Sequence, residues 1–447
     1  MILDEQVLTA GISHAQSFNL MSGPAFEEAH SLLLDQNYNL SKASKELQLW
    51  HQRLGHAGFA WIQNLMRDRP QEVGDPREPP TTPTSQKGTS SCQPPKCAAC
   101  LLAKQHRHGA GSSTTVNKPE KEMAIRRDDL KPGDRISTDQ YICAKPGRLP
   151  HTKGKEPVSQ RYHGGTLFYD HASAYVHFSH QVSLGIGETL RSKHAFEKFA
   201  KASGVTVKSY RADNQPYSAK AFTEDLEMLN QTITFSGVGA HHQNGCAERV
   251  LMTISQWARA YMMHQLLHWP DKYNSDLWPF AMSHAVHVWN NLPRTRSSLT
   301  PLELFTGMKQ PENGALLRAR VWGCPVFVLD PKLQDKKSVP KWTKRSRCGM
   351  YLGSSNDHHS TIGKILNLTT GHVSPQFHVI YDELFTTSFG AITDLVFDKA
   401  HWDSLLQFGT DHGPDFELAP PTRVKQAAVD RISQDLYQSF LDPDHVT

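Results

Sequence analysis

Three acidic residues stand at positions from which they could hold catalytic metal ions. Asp139 lies inside a β-prone run, between Thr138 and Gln140, where an acid is unusual unless it has a partner. Asp213 directly follows a later β-prone run, and Glu248 lies in the first turn of a long helical pattern. Divalent cations such as Mg²⁺ prefer oxygen ligands, and phosphodiester transfer uses two such cations about 3.5–4 Å apart. The three carboxylates therefore predict a metal-dependent site for chemistry on phosphate esters.

Each of these acids also has an ordinary structural interpretation. Asp139 could be an acid at a strand edge, and Asp213 could form a simple turn with Asn214. Glu248 could be a charge that the positive end of the helix dipole favours. Asp170 ends another β-prone run, and we predict that it forms a turn rather than part of a site. Only the order of the strands and helices around the three acids favours a shared site.

Two histidines and two cysteines have the spacing of a structural zinc site. His51 and His56 are separated by four residues, and Cys97 and Cys100 by two. A CxxC pair places two thiolates at a tight turn, and two histidines complete a tetrahedral site with no open position. Such a metal would stabilise a module that is too small for a substantial core. Cys92 could take the place of Cys97, and the residues could also be surface histidines and free thiols.

The elements that must position the carboxylates alternate between residues 131 and 300. The predicted elements are strands at 136–142, 166–170 and 174–179, a helix at 186–203, a strand at 205–213, a helix at 219–230, a strand at 232–236, and helices from Gly245 to about His264 and at 278–291. This order predicts an α/β fold class, a mixed sheet with helices packed on it. If the long helix packs against the centre of the sheet, the three acids can converge.

The regions on either side of this core differ from it in composition. The predicted divisions are a leader at 1–48, a zinc-binding helical module at 49–108 with a flexible insertion at 70–96, a linker at 109–130, the α/β core at 131–300, a β-rich region at 301–390 and a tail at 391–447. The insertion is rich in Pro, Ser, Thr and Gln and can bury little. Short β-prone runs separated by Gly, Pro, Asn and Ser predict a small antiparallel barrel after Pro301.

Length and composition limit the classes of protein that remain. A chain of 447 residues predicts two to three domains, and Lys plus Arg exceed Asp plus Glu only slightly, by 48 to 44. The N-terminus lacks a basic start followed by an apolar core, and no run approaches the roughly 18 apolar residues of a membrane span. Seven cysteines, an odd number, favour a metal site in a reducing compartment over disulfides. We therefore expect an intracellular protein without a membrane partner.

A basic segment predicts contact with nucleic acid. It carries one aromatic residue, Trp342, and its cationic residues are Lys336, Lys337, Lys341, Lys344, Arg345 and Arg347. Such a segment would neutralise phosphates without reading base sequence, and the same run could serve as a nuclear localisation signal. An ordinary solvated loop is the alternative. Gln243, Asn244 and Arg249, close to Glu248, are also expected to position DNA.

Several motifs in these regions match one family, since the sequence resembles the integrase region of Ty1/copia-type retrotransposon polyproteins. LWHQRLGH at 49–56, followed by CAAC at 97–100, is similar to the zinc segment that precedes the integrase in that family. RADN at 211–214 resembles its second catalytic motif, and HQNGCAERVLMTI at 242–254 its third. The stretches that follow in the family are similar to LTPLELFTG (299–307), RVWGCPVFV (320–328) and MYLGSS (350–355). The resemblance covers roughly residues 45–390.

The resemblance implies a ribonuclease-H-like core with a DDE active site. It assigns catalysis and the binding of Mg²⁺ or Mn²⁺ to Asp139, Asp213 and Glu248, and the binding of Zn²⁺ to His51, His56, Cys97 and Cys100. Members of the family trim the 3′ ends of linear element DNA and join those ends to target DNA, by in-line attack of water and then of the 3′ hydroxyl. Element and target DNA are the implied partners. A homo-oligomer is implied because two ends are joined together, and so is a nuclear protein with a cytoplasmic particle stage.

The loop after Asp213 departs from the family's pattern. The family usually follows its second aspartate with Asn-Gly-Gly-Glu-Phe, whereas residues 214–218 here are Asn-Gln-Pro-Tyr-Ser. Gln and Pro in place of the glycines stiffen a loop beside the site. The alternative is therefore a catalytically inactive or domesticated DNA-binding protein derived from an integrase. The sequence shows neither an Asp-Thr/Ser-Gly protease motif nor a paired-Asp polymerase motif, so we expect an integrase-only segment.

Overall fold

Two five-stranded sheets and the helices around them make up the described part of the chain. The computed structural model describes residues 40–66, 88–105, 129–237, 244–293, 299–309, 318–355, 358–359 and 361–388. The predicted tail and most of the predicted leader and linker lie outside these residues. None of the helices within them is long and apolar enough to span a membrane.

The elements alternate along the chain much as the sequence patterns predict. The helices are α1 (Lys42–Arg53), α2 (Phe59–Met66), α3 (Ala98–Ala103), α4 (Ile186–Ala202), α5 (Lys220–Met228), α6 (Gly245–His268), α7 (Trp278–Asn291), α8 (Pro301–Thr306) and α9 (Pro331–Gln334). The strands are β1 (Ile136–Gly147), β2 (Tyr162–Asp170), β3 (Val176–Gln181), β4 (Ser209–Ala212), β5 (Thr232–Phe235), β6 (Pro325–Leu329), β7 (Ser346–Ser354), β8 (Gly363–Asn367), β9 (Val373–Gln376) and β10 (Val379–Tyr381). Short 3-10 turns occupy Val158–Gln160, Pro270–Lys272 and Ser275–Leu277.

The first sheet is mixed and has the order β3-β2-β1-β4-β5. β2 runs antiparallel to both β1 and β3, whereas β4 runs parallel to β1 and β5 parallel to β4. The sheet is covered on both faces because its strands alternate apolar side chains between two cores. Ile136 and Tyr210 pack with α4 and α5, whereas Tyr141 and Leu167 pack with α6 and α7. The predicted mixed α/β architecture is confirmed.

The second sheet is antiparallel throughout and has the order β10-β6-β7-β8-β9. It shares one hydrophobic core with α6, α7 and the N-terminal helices, through residues such as Val326, Tyr351 and Ile365. Among the described residues, no pairing joins β9 to β10, so these two strands are the edges of the sheet. The small antiparallel barrel predicted from the sequence is therefore not shown.

The N-terminal helical module begins earlier than the sequence predicts. Residues 42–48, placed in the leader, form the first half of α1, whose N-cap Ser41 accepts a hydrogen bond from the amide of Ser44 at 3.1 Å. Part of the predicted flexible insertion is also packed. Thr89 is fully buried and donates to Glu46 Oε2 at 2.9 Å. The apolar pattern misses residues 42–48 because Leu47 is their only buried apolar residue, and it misses Thr89 because a polar contact holds that side chain.

In the core, two elements begin or end at other residues than predicted, and one turn lies where it was predicted. Regular pairing of β4 begins only at Ser209, although the run at 205–213 predicts a longer strand. α6 continues to His268, beyond the predicted end near His264. Asp170 forms the predicted turn, since its Oδ2 accepts from the amide and the hydroxyl of Ser173 at 2.7 and 2.6 Å.

Candidate functional site

Local structure brings the two histidines and two cysteines of the N-terminal module together. His51 lies in the last turn of α1, and His56 follows Gly55 in a turn where both residues have positive φ. Cys97 is the N-cap of α3, and Cys100 lies one turn into that helix. One ligand atom from each residue lies within 4.8 Å of the others. Cys92, the alternative ligand, instead donates to the carbonyl of Thr89 at 3.5 Å.

The spacing of these four donor atoms matches that of a zinc site. His51 Nε2 lies 3.2 Å from His56 Nδ1 and 3.2 Å from Cys100 Sγ, and Cys97 Sγ lies 3.4 Å from His56 Nδ1. Zinc bonds of about 2.05 Å to nitrogen and 2.3 Å to sulfur, at tetrahedral angles, place two nitrogens about 3.3 Å apart and nitrogen and sulfur about 3.6 Å apart. The donor set therefore fits a four-coordinate zinc ion.

The surroundings of the cluster hold its ligands in the form that binds metal. A carbonyl can only accept a hydrogen bond, so the 2.8 Å contact between His51 Nδ1 and Ala57 O places the proton on Nδ1 and leaves Nε2 for a metal. Burial lowers the pKa of His56 to about 4, which keeps its imidazole neutral. The hydrogen bond from Cys100 is the largest influence that lowers the pKa of Cys97, and it favours the thiolate.

The N-terminal helical module, here called the zinc-site module (α1, α2 and α3 with the four candidate ligands), packs directly on α6. Gly55 has a φ of +73° and faces the Trp257 ring, and a Cβ added there would lie 2.6 Å from the ring. Arg259 donates to the carbonyl of Ala103 at 3.1 Å. Leu47, Leu54 and Ile62 belong to the same hydrophobic core as Ile254 and Tyr261 of α6. The module is thus fixed to the helix that carries Glu248.

The pairing of β1 with β4 indicates where the two predicted catalytic aspartates lie in the first sheet. In the parallel pair of β1 and β4, Ile136 is opposite Tyr210 and Ser137 is opposite Arg211. Continued by two residues, the same register would set Asp139 opposite Asp213, which directly follows β4. Adjacent strands lie about 4.8 Å apart. Both carboxylates are half-buried, and Asp139 Oδ1 accepts from the amide of Gln140 at 2.8 Å.

A hydrogen bond to β1 brings the start of α6 to the same end of the sheet. The Asn244 side chain, 1% exposed, donates from Nδ2 to the carbonyl of Thr138 at 3.0 Å, next to Asp139. Glu248 lies in the first turn of α6 and is half-buried. Within the described residues the three carboxylates do not form a ligand cluster comparable to the zinc site. Like charges repel, so carboxylates approach one another closely when a cation or a shared proton lies between them.

The loop after Asp213 is anchored by a residue that the sequence reasoning missed. Tyr217 is 1% exposed, and its hydroxyl accepts from Thr138 Oγ1 at 2.9 Å. Burial raises the pKa of Tyr217 above its ordinary value, so the phenol stays protonated. The altered loop is therefore packed against β1 beside Asp139. An aromatic residue in an otherwise polar loop was the signal that could have indicated this contact.

The residues expected to contact DNA differ in their exposure. Gln243 lies outside the described residues, and the burial of Asn244 makes it a positioning residue for α6 rather than a free contact. Arg249 is exposed, with its Nε donating to the carbonyl of Gly245 at 2.8 Å. The basic segment connects β6 to β7. Its exposed cations are Lys336, Lys337, Lys341, Lys344 and Arg345, and Arg347 is half-buried.

Trp342 stands out within the basic segment. It is 59% exposed, and the Lys341 ammonium lies 5.0 Å from the centre of its ring. Lys337 has a weak ion pair with Asp335 at 3.5 Å. The loop thus presents an aromatic face among positive charges, an arrangement suited to nucleic acid.

Several solved structures show a distant likeness to this chain. No protein-family model and no curated protein matches the sequence significantly. The simian T-cell lymphotropic virus intasome, solved with PP2A regulatory subunit B56 gamma, aligns with a TM-score of 0.30 at 14% identity, over 56% of this chain and 82% of that chain. The HTLV-2 integrase catalytic core domain in complex with magnesium aligns with TM-scores of 0.28 (trimeric form, 18% identity) and 0.27 (dimeric form, 19% identity), each over 39% of this chain and 98% of that chain. Such scores identify neither family nor activity, so the function has to be inferred from the chain's own geometry.

Proposed function

We propose that this chain is a retrotransposon integrase of the Ty1/copia type, a divalent-metal-dependent polynucleotidyl transferase of the DDE class. The parallel register of β1 and β4, which pairs Ser137 with Arg211 and would bring Asp139 beside Asp213 if continued by two residues, is the observation that supports the proposal. The contact of Asn244 with β1 supports a place for Glu248 at the same end of the sheet. The strand order and the helices on both faces fit a ribonuclease-H-like core. We further propose that the second sheet is the nucleic-acid-binding, barrel-like domain.

The three carboxylates offer the hard oxygen donors that Mg²⁺ or Mn²⁺ requires. These ions, when bound, supply activation of the attacking oxygen and stabilisation of the leaving oxygen. Asp139, Asp213 and Glu248 would hold them at one end of the sheet. In 3′-end processing, the oxygen of water would form a bond to phosphorus while the bond between that phosphorus and the 3′ oxygen of the retained strand breaks. The retained 3′ oxygen takes up a proton and becomes a hydroxyl, the departing nucleotide carries the phosphate at its 5′ end, and water loses its proton to solvent. In strand transfer, the oxygen of the new 3′ hydroxyl would form a bond to a phosphorus of the target, and the bond from that phosphorus to the target's own 3′ oxygen breaks. The proton lost by the attacking hydroxyl is balanced by the one that the leaving 3′ oxygen takes up.

Positive charge on two elements would position the DNA. Arg249 lies one residue after Glu248 and is exposed, so it can contact a phosphate beside the reacting bond. The β6–β7 segment would contact phosphates farther along the duplex, through Lys336, Lys337, Lys341, Lys344, Arg345 and Arg347. Both contacts act on the backbone and predict binding that weakens with salt. Joining two ends to one target requires more than one active site, so a homo-oligomer acting in the nucleus is part of the proposal.

Zinc at the His51, His56, Cys97 and Cys100 cluster is the second metal of the proposal. Elemental analysis of the purified chain should find zinc bound, and Cys100→Ser should lose it. Cys348→Ser removes an exposed cysteine outside the cluster and should keep the metal. Equal zinc content in the two variants would contradict the assignment. The fit of the four donor atoms to tetrahedral distances supports zinc over cations that prefer oxygen.

The catalytic proposal is tested by strand transfer of a DNA oligonucleotide in Mg²⁺ or Mn²⁺. The full chain should nick and join DNA, and Asp213→Asn and Glu248→Gln should each lower the rate by at least about 100-fold, since each removes a charge from the metal ligands. Glu227→Gln removes an exposed negative charge on α5 and should leave the rate unchanged. Melting curves and zinc content confirm that each variant is folded.

The opposite result has a definite meaning. If the folded, zinc-loaded chain binds DNA but is no more active than Asp213→Asn, the enzyme proposal fails. The inactive or domesticated DNA-binding protein then becomes the better account, and the altered loop at residues 214–218 is the feature that favours it. Activity that survives in Asp213→Asn would instead place the reaction outside the proposed carboxylates.

A further inference from the structure

A cavity lies where the first sheet, α7 and the second sheet meet. Its volume is about 90 Å³, several times the roughly 10–15 Å³ that a single water needs. Its polar lining comes from β3, α7, β8 and the segment after β1, and includes His180, Ser283, His284, His287, Lys364 and Arg148. None of these residues belongs to the proposed carboxylate, zinc or DNA sites. The cavity is therefore a separate feature of the molecule.

The charge of the lining has one sign. Arg148 and Lys364 are cationic, and none of the described residues that line the cavity is acidic. Asp276, one of the acids that influence Arg148, is already paired with Arg161 at 2.6 Å. Glu156, the other, accepts a hydrogen bond from the amide of Gly154 at 3.1 Å. Both acids lie outside the lining, so the permanent charges of the lining itself are all positive and favour an anion.

Two buried donors in this lining lack partners. Arg148 is 5% exposed, and although its Nη2 donates to the carbonyls of Thr152 and Gly371, its Nε has no hydrogen-bond partner. His284 is 2% exposed, and neither of its ring nitrogens has a partner. Buried polar groups are normally hydrogen-bonded, because an unmet donor is destabilising. An acceptor bound in the cavity would remove this defect.

The remaining groups around the cavity favour an anion over a metal ion. Burial lowers the pKa of His284 to about 3, with His287 and Lys364 adding to the effect, so its imidazole is neutral and has one N–H to donate. His180 is already engaged, through Nδ1 with the Tyr141 hydroxyl at 2.7 Å and through Nε2 with the Pro279 carbonyl at 2.9 Å. A cation would be repelled by the permanent charges of Arg148 and Lys364.

We infer that this cavity binds a single phosphate group, with Arg148 and Lys364 supplying the charge and His284 a hydrogen bond. A tetrahedral oxyanion offers acceptors in several directions, as donors from three separate elements require. The bound group would join α7 to the second sheet, because His284 lies on α7 and Lys364 on β8. Gly353 of β7, at φ +114°, already approaches so closely that a Cβ there would lie 3.0 Å from His284 Nδ1. The inference does not depend on the proposed integrase activity.

Inorganic phosphate is the probe for the experiment, which uses the full chain in thermal melts and isothermal titration. Phosphate should raise the melting temperature more than chloride at equal ionic strength and pH. Lys364→Gln should weaken phosphate binding at least roughly tenfold, the loss expected for one charge-assisted hydrogen bond. Lys364→Arg keeps the charge and should restore most of the affinity. Lys201→Gln removes an exposed charge from α4 and should bind like the wild type.

The source of the phosphate group is found by competition. If a short DNA duplex displaces phosphate, and Lys364→Gln weakens DNA binding as well, the cavity holds a backbone phosphate of nucleic acid. If DNA and phosphate bind together, the cavity holds free phosphate or a small phosphorylated molecule. The inference is overturned if phosphate and chloride stabilise the chain equally, or if Lys364→Gln and Lys201→Gln respond to phosphate alike.

Discussion

The substitution Glu383→Gln tests how the zinc-site module is joined to the second sheet. Glu383 follows β10 and is 9% exposed, and it accepts two hydrogen bonds from Arg53 of α1, at 2.6 and 2.7 Å. It also accepts from Arg320 at 2.8 Å and from the amide of Val321 at 3.2 Å. Glutamine keeps the shape but removes the charge, and it turns one acceptor into a donor that faces a guanidinium.

The expected loss follows from these contacts. Removing one partner of a buried ion pair costs about 3–5 kcal/mol of stability. Arg53 and Arg320 are 16% and 37% exposed, so water can solvate part of the charge that loses its partner. The expected loss in the free energy of unfolding is therefore about 2–4 kcal/mol. At roughly 2 °C per kcal/mol for a chain of this size, the melting temperature should fall by roughly 4–8 °C. As a control, Glu224→Gln breaks an exposed ion pair with Lys220 and should change the melting temperature by less than about 1 °C. Equal shifts in the two variants would refute the reasoning.

Two further predictions concern a glycine substitution and the dependence of stability on pH. Gly55→Ala should destabilise the chain by about 2–4 kcal/mol in urea melts, because it combines a positive φ with the clash against Trp257, whereas Gly58→Ala, with no atom within 4 Å of the added Cβ, should cost less than about 1 kcal/mol. The second of these predictions concerns the dependence of stability on pH. Since burial depresses the pKa of His284 from 6.5 to about 3, the unfolded chain gains a proton below pH 6.5 that the folded chain refuses, so stability is full above pH 6.5 and falls as the pH drops towards 3. Melting temperatures between pH 7 and pH 4 should therefore fall less steeply for His284→Gln than for the wild type, and parallel curves would contradict this cause.

The helices of the core could be predicted closely from the sequence. α7 occupies the predicted residues 278–291, and α4 ends at Ala202, one residue before its predicted end. Both carry apolar side chains at helical spacing, and burial of that face determines their extent. β1 was harder to predict because it continues to Gly147, past Ile142, which is 78% exposed. Hydrogen bonding to β2 extends the strand there, and hydrophobic alternation does not record hydrogen bonding.

The candidate site was predicted by residue type but not by its supports. The cluster of His51, His56, Cys97 and Cys100 follows from the spacing of these residues, whereas the convergence of Asp139, Asp213 and Glu248 stays a prediction. The contact of Asn244 with Thr138 spans 106 residues, and that of Arg53 with Glu383 spans 330. No local pattern marks such a partner, since each residue taken alone resembles an ordinary polar surface residue. This is why Asn244 was expected at the DNA interface although its side chain is buried.

The length of α6 has a consequence for how the parts of the molecule influence one another. At 24 residues the helix is about 36 Å long, and contacts fix it at three positions along its length. Asn244 fixes its first turn to β1, Trp257 meets Gly55 midway, and the carbonyl of His268 near its last turn accepts from the Ser388 hydroxyl at 3.1 Å. Because the helix is stiff, a movement at one of these contacts is transmitted along its whole length. A tilt of the helix, caused by loss of its contact with Gly55 or with Ser388, would move Glu248 relative to β1 although no residue near Glu248 had been changed.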